Sequence, residues 1–418
     1  MNKPGKTKPI EKGQALVLII LSIVAIFGFA ALAVDMGQIF MARRSAQSAA
    51  DAAALGAAYQ SVTSSDNFAA IKTKALELAK LNGYNNDGAT NQVVINNPPV
   101  DSPYCGICGD PRAAEYYQVR ITVKMKPIFA HFVYGGKEWT TVEAVAHAKD
   151  VTTITGGDTL VALSSDSTAL EFDGKTGVDI SGGNIRSVGG MVKNGASGGI
   201  VVTNGKVYYG STFAGHTSPF SPAKPEKNNA GEIMTFTPPW CPNGTEVNDG
   251  TWSNAGTFRQ KKINGVNYYY YPSGLSVETL PAGIHCVEGG IGKGNYKGTG
   301  VLIVLLSGGI QQTGGDSIMF KAPLDIVDKN GNHFGGLMMY APHTNNSVIQ
   351  FGGNTEAYVQ GTMYLPGAAC KIGGNPSGTG YHTSIVCNDI KIHGNPVLKI
   401  IYKPEELYRL PPAVELSQ

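Results

Sequence analysis

From Ala15 to Val34 the chain runs without a charge, and Ser22 is the one polar side chain in the stretch. Twenty residues in a helix rise about 30 Å, the thickness of a bilayer's hydrocarbon core. An Ala-rich run, Met36 to Tyr59, follows with no turn-forming break. The pattern predicts one long helix, half in lipid and half beyond it. Lys3, Lys6, Lys8 and Lys12 precede the apolar run, opposed only by Glu11. That excess predicts a cytoplasmic N-terminal tail (1–14), a single span (15–34) and an extracytoplasmic body on the cell surface or in the periplasm. Arg43 and Arg44, near the other end, weaken the asymmetry. The competing reading is a cleaved signal peptide, because Ala31-Leu32-Ala33 has the form of a small-residue cleavage site. The run is longer than an ordinary signal-peptide core, which favours an anchor.

Three local motifs sharpen this. Gly13-Gln14-Ala15-Leu16-Val17-Leu18 opens the span, and Ala33-Val34-Asp35-Met36-Gly37 closes it. Beyond Arg43-Arg44 lies Gln47-Ser48-Ala49-Ala50-Asp51-Ala52-Ala53-Ala54-Leu55. The combination resembles the N-terminal segment of TadE/TadG-like Flp pilus-assembly proteins of the tight-adherence (Tad) system. The resemblance is strong over about 50 residues and looser to about residue 148. It implies a membrane-anchored part of a pilus system, with other anchored pilus subunits as partners. Two departures stand out. The fifth residue after Gly13 is Leu18, where prepilin-type subunits carry Glu, which counts against prepilin-peptidase processing. The Asp-x-Ser-x-Ser metal motif of some TadG-like proteins is replaced by Asp166-Ser167-Thr168. Gly28, Gly37 and the alanines flatten the helix surface, which permits close helix–helix approach. Gly28, Asp35, Gly37, Gln47 and Asp51 are therefore the candidate assembly contacts.

Lys plus Arg number 33 and Asp plus Glu 31, so no basic field supports nucleic-acid binding. Charged residues make up 15% and Gly 54 of 418, which fits a turn-rich β protein. The six cysteines, Cys105, Cys108, Cys241, Cys286, Cys370 and Cys387, suit up to three disulfides in an exported body. Pairing between sequence neighbours is the simplest of the 15 connectivities. Cys105-Gly106-Ile107-Cys108 could instead be a redox pair, although no helix pattern follows it.

Residues 35–150 read as a small α+β domain. A helix about Asp66–Asn82, capped by Ser65, would present Phe68, Ile71, Ala75 and Leu78 on one face. Val93–Ile95 is a short strand. Tyr117, Val119, Ile121, Val123 and Met125 alternate with polar residues, the clearest strand in the chain, and Val142, Ala144 and Ala146 repeat the pattern.

Beyond residue 150 a repeat emerges. Ile349-Gln350-Phe351-Gly352-Gly353-Asn354, Cys370-Lys371-Ile372-Gly373-Gly374-Asn375 and Ile390-Lys391-Ile392-His393-Gly394-Asn395 share one pattern, their Asn residues 21 and 20 positions apart (354, 375, 395). Val178-Asp179-Ile180-Ser181-Gly182-Gly183-Asn184 is an earlier echo. A strand-and-corner unit of about 20 residues suits a right-handed parallel β-helix over 151–402. It places Cys370 in an inward ladder with Ile349 and Ile390. Residues 211–298 break the repeat and read as an insertion closed by Cys241–Cys286. Asn264-Gly265 within it and Asn330-Gly331 beyond it read as hairpin turns. Val301–Leu306 reads as a core strand. The tail 403–418 would cover the last coil or lie loose.

Catalytic motifs are lacking: there is no His-Glu-x-x-His, Gly-x-Ser-x-Gly or phosphate loop, and Asp173 and Asp179 share no demonstrable face. No cofactor is implied. Trp240, Trp252 and Tyr268, Tyr269, Tyr270 and Tyr271 are candidate surface aromatics that could stack on glycans, or else the insertion's own small core. The expectation is a non-enzymatic, membrane-anchored pilus-assembly, anchoring or adhesion protein. The alternatives are an exported polysaccharide-binding or -degrading β-helix and a filament subunit.

Overall fold

The computed structural model describes residues 14–63, 67–100, 113–125, 128–129, 139–149, 152–175, 177–222, 224–228, 233–313, 315–351, 358–373, 380–394, 397–411 and 413–417. Two compact units divide the chain: Met1–Val151 with Pro411–Gln418, and Thr152–Leu410.

The first unit is built on α1, Gln14–Thr63, a single helix of 50 residues. Ahead of Asp35 the helix is exposed along almost its whole length, large apolar side chains such as Leu16, Phe27 and Phe29 included. Its second half is the opposite. Ala46, Ala49, Ala50, Ala53, Ala54, Ala57 and Ala58 are completely buried. They recur three and four apart, so they form one stripe. Their missing side-chain bulk lets the helix axis come close to a four-stranded antiparallel sheet. That sheet comprises β1 (Asn91–Asn96), β2 (Tyr116–Lys124), β3 (Trp139–Lys149) and the C-terminal strand Ala413–Ser417, in that order. Val93, Ile95, Tyr117, Val119, Ile121, Val142, Ala144 and Ala146 meet the alanine stripe.

Helix α2 spans Phe68–Leu81 and is capped by Asn67, whose side chain accepts the Ala69 amide. The expected cap Ser65 lies outside the described residues. Its buried face is Ile71, Ala75 and Ala79, with Leu78 partly covered and Phe68 exposed. The tail does not end as a loose cover. Ala413–Ser417 pairs with β3, Val414 opposite Ala148 and Leu416 opposite Ala146. The alternating Val414 and Leu416 supply an apolar face that an open β3 edge accepts.

The second unit is a β-solenoid of about ten coils. Its inward side chains form ladders, as the 349/370/390 repeat predicts. One ladder runs Ile291, Ile310, Ile349, Cys370, Ile390, Leu170, Met191, Phe213. The residue numbers drop from 390 to 170 within it, and this break defines the topology. The coils formed by residues 158–227 stack on the far end of the coils formed by residues 266–401. Three contacts make the seam: Ile385–Cys387 on Leu160–Ala162, Ile390–Ile392 on Leu170–Phe172, and Leu398–Ile401 on Val178–Ser181, all parallel. The chain therefore starts at mid-stack, winds outward to residue 227, crosses to the opposite end and winds back to the seam. It leaves where it came in: Thr153 pairs with Arg409, and the Leu410 amide donates to the Thr152 carbonyl. The echo at Val178–Ser181 lies on the wall with Leu398–Ile401, not with Ile390–Ile392.

The expected insertion, 211–298, is too wide. Phe213–Gly215 stacks on Met191–Lys193, Phe220–Ser221 on Ile200–Val201, and Pro225–Lys227 on Val207–Tyr209. At the other end, Val266–Tyr271 is already a wall strand, parallel to Gly283–Val287. Within this range, among the described residues, 233–263 leave the coil. Aromatics such as Phe213, Phe220, Tyr269 and Tyr271 take the inward positions that aliphatic residues fill elsewhere, which hides the repeat in sequence. Asn264 and Gly265, both with positive φ, turn the hairpin Arg259–Ile263/Val266–Tyr271 that closes this end.

Leu170, completely buried, touches both sides of the seam through Ile390 and Met191. We expect Leu170→Ala to cost roughly 2–5 kcal/mol in urea unfolding; a change near zero would mean that the two runs of coils do not stack there.

Candidate functional site

On α1, the sequence-selected residues separate into two groups. Asp35 is buried, and its carboxylate accepts the Ile128 amide at 2.7 Å and the Phe129 amide at 2.9 Å. Gln47 Nε2 donates to Asp51 Oδ1 at 2.8 Å and to the Glu143 carbonyl at 2.9 Å, pinning the helix to β3. These three residues use polar atoms to hold the first unit together. Gly28 and Gly37 differ: a Cβ at either would meet no atom within 4 Å.

In the solenoid, Cys241–Cys286 and Cys370–Cys387 are disulfides, with Cα–Cα separations of 5.8 and 6.1 Å. The first ties the 233–263 excursion to the wall. The second joins adjacent coils. Cys105 and Cys108 lie outside the described residues.

The tyrosine block is not a surface feature. Tyr268, Tyr269, Tyr270 and Tyr271 are all buried. Tyr269 and Tyr271 point into the coil, and Tyr268 and Tyr270 point outward beneath Trp240, Phe236, Val247 and Trp252 of the excursion. A strand covered on both faces loses the alternation that would have revealed it. Between the inward tyrosines lies His285, stacked on Tyr269 with ring centroids 4.6 Å apart. Its Nε2 faces the Pro281 carbonyl at 2.8 Å, so this nitrogen carries the proton. Nδ1 then accepts from the Tyr271 hydroxyl at 3.2 Å. Burial pushes the imidazole pKa down to about 4, against a weaker upward pull from the Pro281 carbonyl.

Trp240 and Trp252 do reach a surface pocket of about 360 Å³, shared with Glu246, Asp249, Lys261, Lys262 and Lys329. Lys329 Nζ lies 4.3 Å from the Trp240 ring centroid, and Lys261 Nζ 5.9 Å from that of Trp252. Asp328 organises the Asn330-Gly331 turn. Its Oδ1 accepts the Asn330 and Asn332 amides, and Oδ2 accepts the Trp240 amide at 3.0 Å. Among the described residues no group of three or more His, Cys, Asp or Glu side chains is placed to hold a metal. Asp173 pairs with Lys391 at 3.1 Å, and that ammonium holds its carboxyl below the usual range.

Sequence reasoning missed the buried polar posts. Asp158 pairs with Arg186 and accepts from Asn184 Nδ2 at 3.0 Å. Lys193 is fully buried and donates to the carbonyls of Gly174, Asn194 and Ser197 at 3.1, 3.3 and 2.9 Å. Burial lowers its pKa, with Asp173 pulling the other way. Backbone carbonyl cages carry no residue signature, so nothing in the sequence announces this lysine.

His285 yields a pH dependence. Its folded pKa lies below the unfolded value of about 6.5, so the unfolded chain binds the extra proton between pH 6.5 and 4. Stability is complete above pH 6.5 and declines on acidification through that window, by on the order of 3 kcal/mol. Denaturant unfolding at pH 7 and pH 4.5 should show the decline, and His285→Gln should reduce it; an unchanged slope in the variant would refute the assignment.

Comparison with known proteins adds the following. No curated protein matches the chain. Among solved structures, the competence-associated pilin ComZ from Thermus thermophilus is similar at 9% identity, covering 79% of this chain and 88% of that chain, with a TM-score of 0.22. So remote a likeness carries no argument. Residues 13–60 match the family described as Putative Flp pilus-assembly TadE/G-like, and this segment coincides with the exposed and alanine-striped halves of α1.

Proposed function

We propose that the protein is a non-enzymatic structural component of a Tad/Flp-type pilus system, acting in assembly, anchoring or adhesion. The match over residues 13–60 carries this reading. Support comes from the division of labour along α1. Residues 16–34 are long and apolar enough to cross a membrane and lie exposed, while the continuation is the core of a folded unit. Such a helix transmits position rather than chemistry: what docks on its lipid-embedded half fixes where the body stands. The Lys-rich tail favours an N-terminus in the cytoplasm and a solenoid outside. Gly28 and Gly37 give other anchored helices two flat contact points.

The test is genetic and biochemical. In the source organism the protein should stay with carbonate-washed membranes and co-purify with Flp pilus subunits. Loss of the gene should reduce Flp piliation or adhesion, and a chain lacking 16–34 should not restore it. Normal pili and adhesion in the null strain would refute the reading.

One observation favours a second reading, carbohydrate binding by the solenoid: the Trp240/Trp252 pocket with its three ammonium groups. Trp240→Ala should abolish any binding to acidic polysaccharides seen on a glycan array, and an array without wild-type signal would dismiss it.

A further inference from the structure

We infer that residues 128–129 form a second membrane contact, an apolar foot that Asp35 holds in the headgroup layer beside the anchor. The inference rests on α1 being membrane-embedded. The apolar run occupies Ala15–Val34, which spans the hydrocarbon with little slack, so Asp35 stands within about a turn of its edge. Ile128 and Phe129 lie far away in sequence, directly after β2. Their amides are bonded to the Asp35 carboxylate at 2.7 and 2.9 Å. Two groups joined at that distance share one depth. Yet the side chains of Ile128 and Phe129 are 48% and 45% exposed. An apolar pair fixed at the bilayer surface has the acyl–headgroup boundary as its natural environment.

The next turns of α1 agree. Met36 and Phe40 are 49% and 67% exposed, so the apolar surface continues past the hydrocarbon edge. Arg43 and Arg44, both exposed, follow. Helical side chains lean toward the N-terminus, so these guanidinium groups reach back toward lipid phosphates. The carboxylate has a further reason to be there. A bare Asp at the boundary would be costly, whereas one accepting two amides keeps its charge solvated by the protein. Asp35 thus converts a single-point tether into a two-point one, which resists swivelling of the first unit about the helix axis.

Depth-dependent fluorescence quenching tests this. The full chain is reconstituted in vesicles of phosphatidylcholine and phosphatidylglycerol, brominated either near the headgroup end or near the terminal methyl of the acyl chain. Phe129→Trp reports the foot and Phe27→Trp the anchor, each against the parent chain. We expect the residue-27 signal to be quenched best by deep bromines and the residue-129 signal by shallow ones. Asp35→Ala should abolish quenching at residue 129 and leave residue 27 unchanged. A residue-129 signal open to aqueous acrylamide and blind to bromine, with residue 27 quenched, would overturn the foot and leave the anchor intact. Loss of quenching at both would overturn the anchor, and the foot with it.

Discussion

The pairing of Ile385–Cys387 with Leu160–Ala162 joins two runs of coil that the chain visits in the reverse of their stacking order. Without it neither run is complete. Each would end at the seam in an open parallel edge, and the ladder through Cys370, Ile390, Leu170 and Met191 would be cut. Parallel stacking makes the joint possible, because any coil with a matching inward pattern can follow any other. The polar posts gather close by: Ser384 donates to the Asp158 carbonyl at 2.7 Å, and Asp158 in turn grips Arg186 on the next coil.

The excursion at residues 233–263 solves a second problem. Wall strands such as Val301–Leu305 are apolar on both faces and need an outer cover. Phe236 packs on Tyr340, Tyr364 and Tyr408, and Trp240 packs on Tyr268, giving the wall a second core outside the coil. The Cys241–Cys286 bond fastens that cover to the strand beneath it.

Much of this was legible in the sequence because it rests on periodicity. The long helix, the β2 alternation and the Ile349/Cys370/Ile390 ladder each repeat at the period of the element that forms them. What escaped was of three kinds. Coil order escaped because the ladder pattern is the same on both sides of the seam. The tyrosine strand escaped because burial on two faces erases alternation. The partners of Asp35 and Lys193 escaped because the amides and carbonyls that meet them belong to the backbone. Gln118, on the polar face of β2, is buried there, accepting from Asn96 Nδ2 at 2.7 Å and exchanging hydrogen bonds with the Val100 amide and carbonyl. A side chain that bonds main chain leaves no complementary residue to find.

The chain reaches the solenoid at Thr153 and departs at Arg409, side by side and away from both extremities. Growth and attachment are thereby uncoupled. Coils could be gained or lost beyond residue 227, or before residue 266, and the point of suspension would stay where it is. A lineage carrying this arrangement can lengthen or shorten its solenoid at two ends without moving the residues at which the chain enters and leaves it.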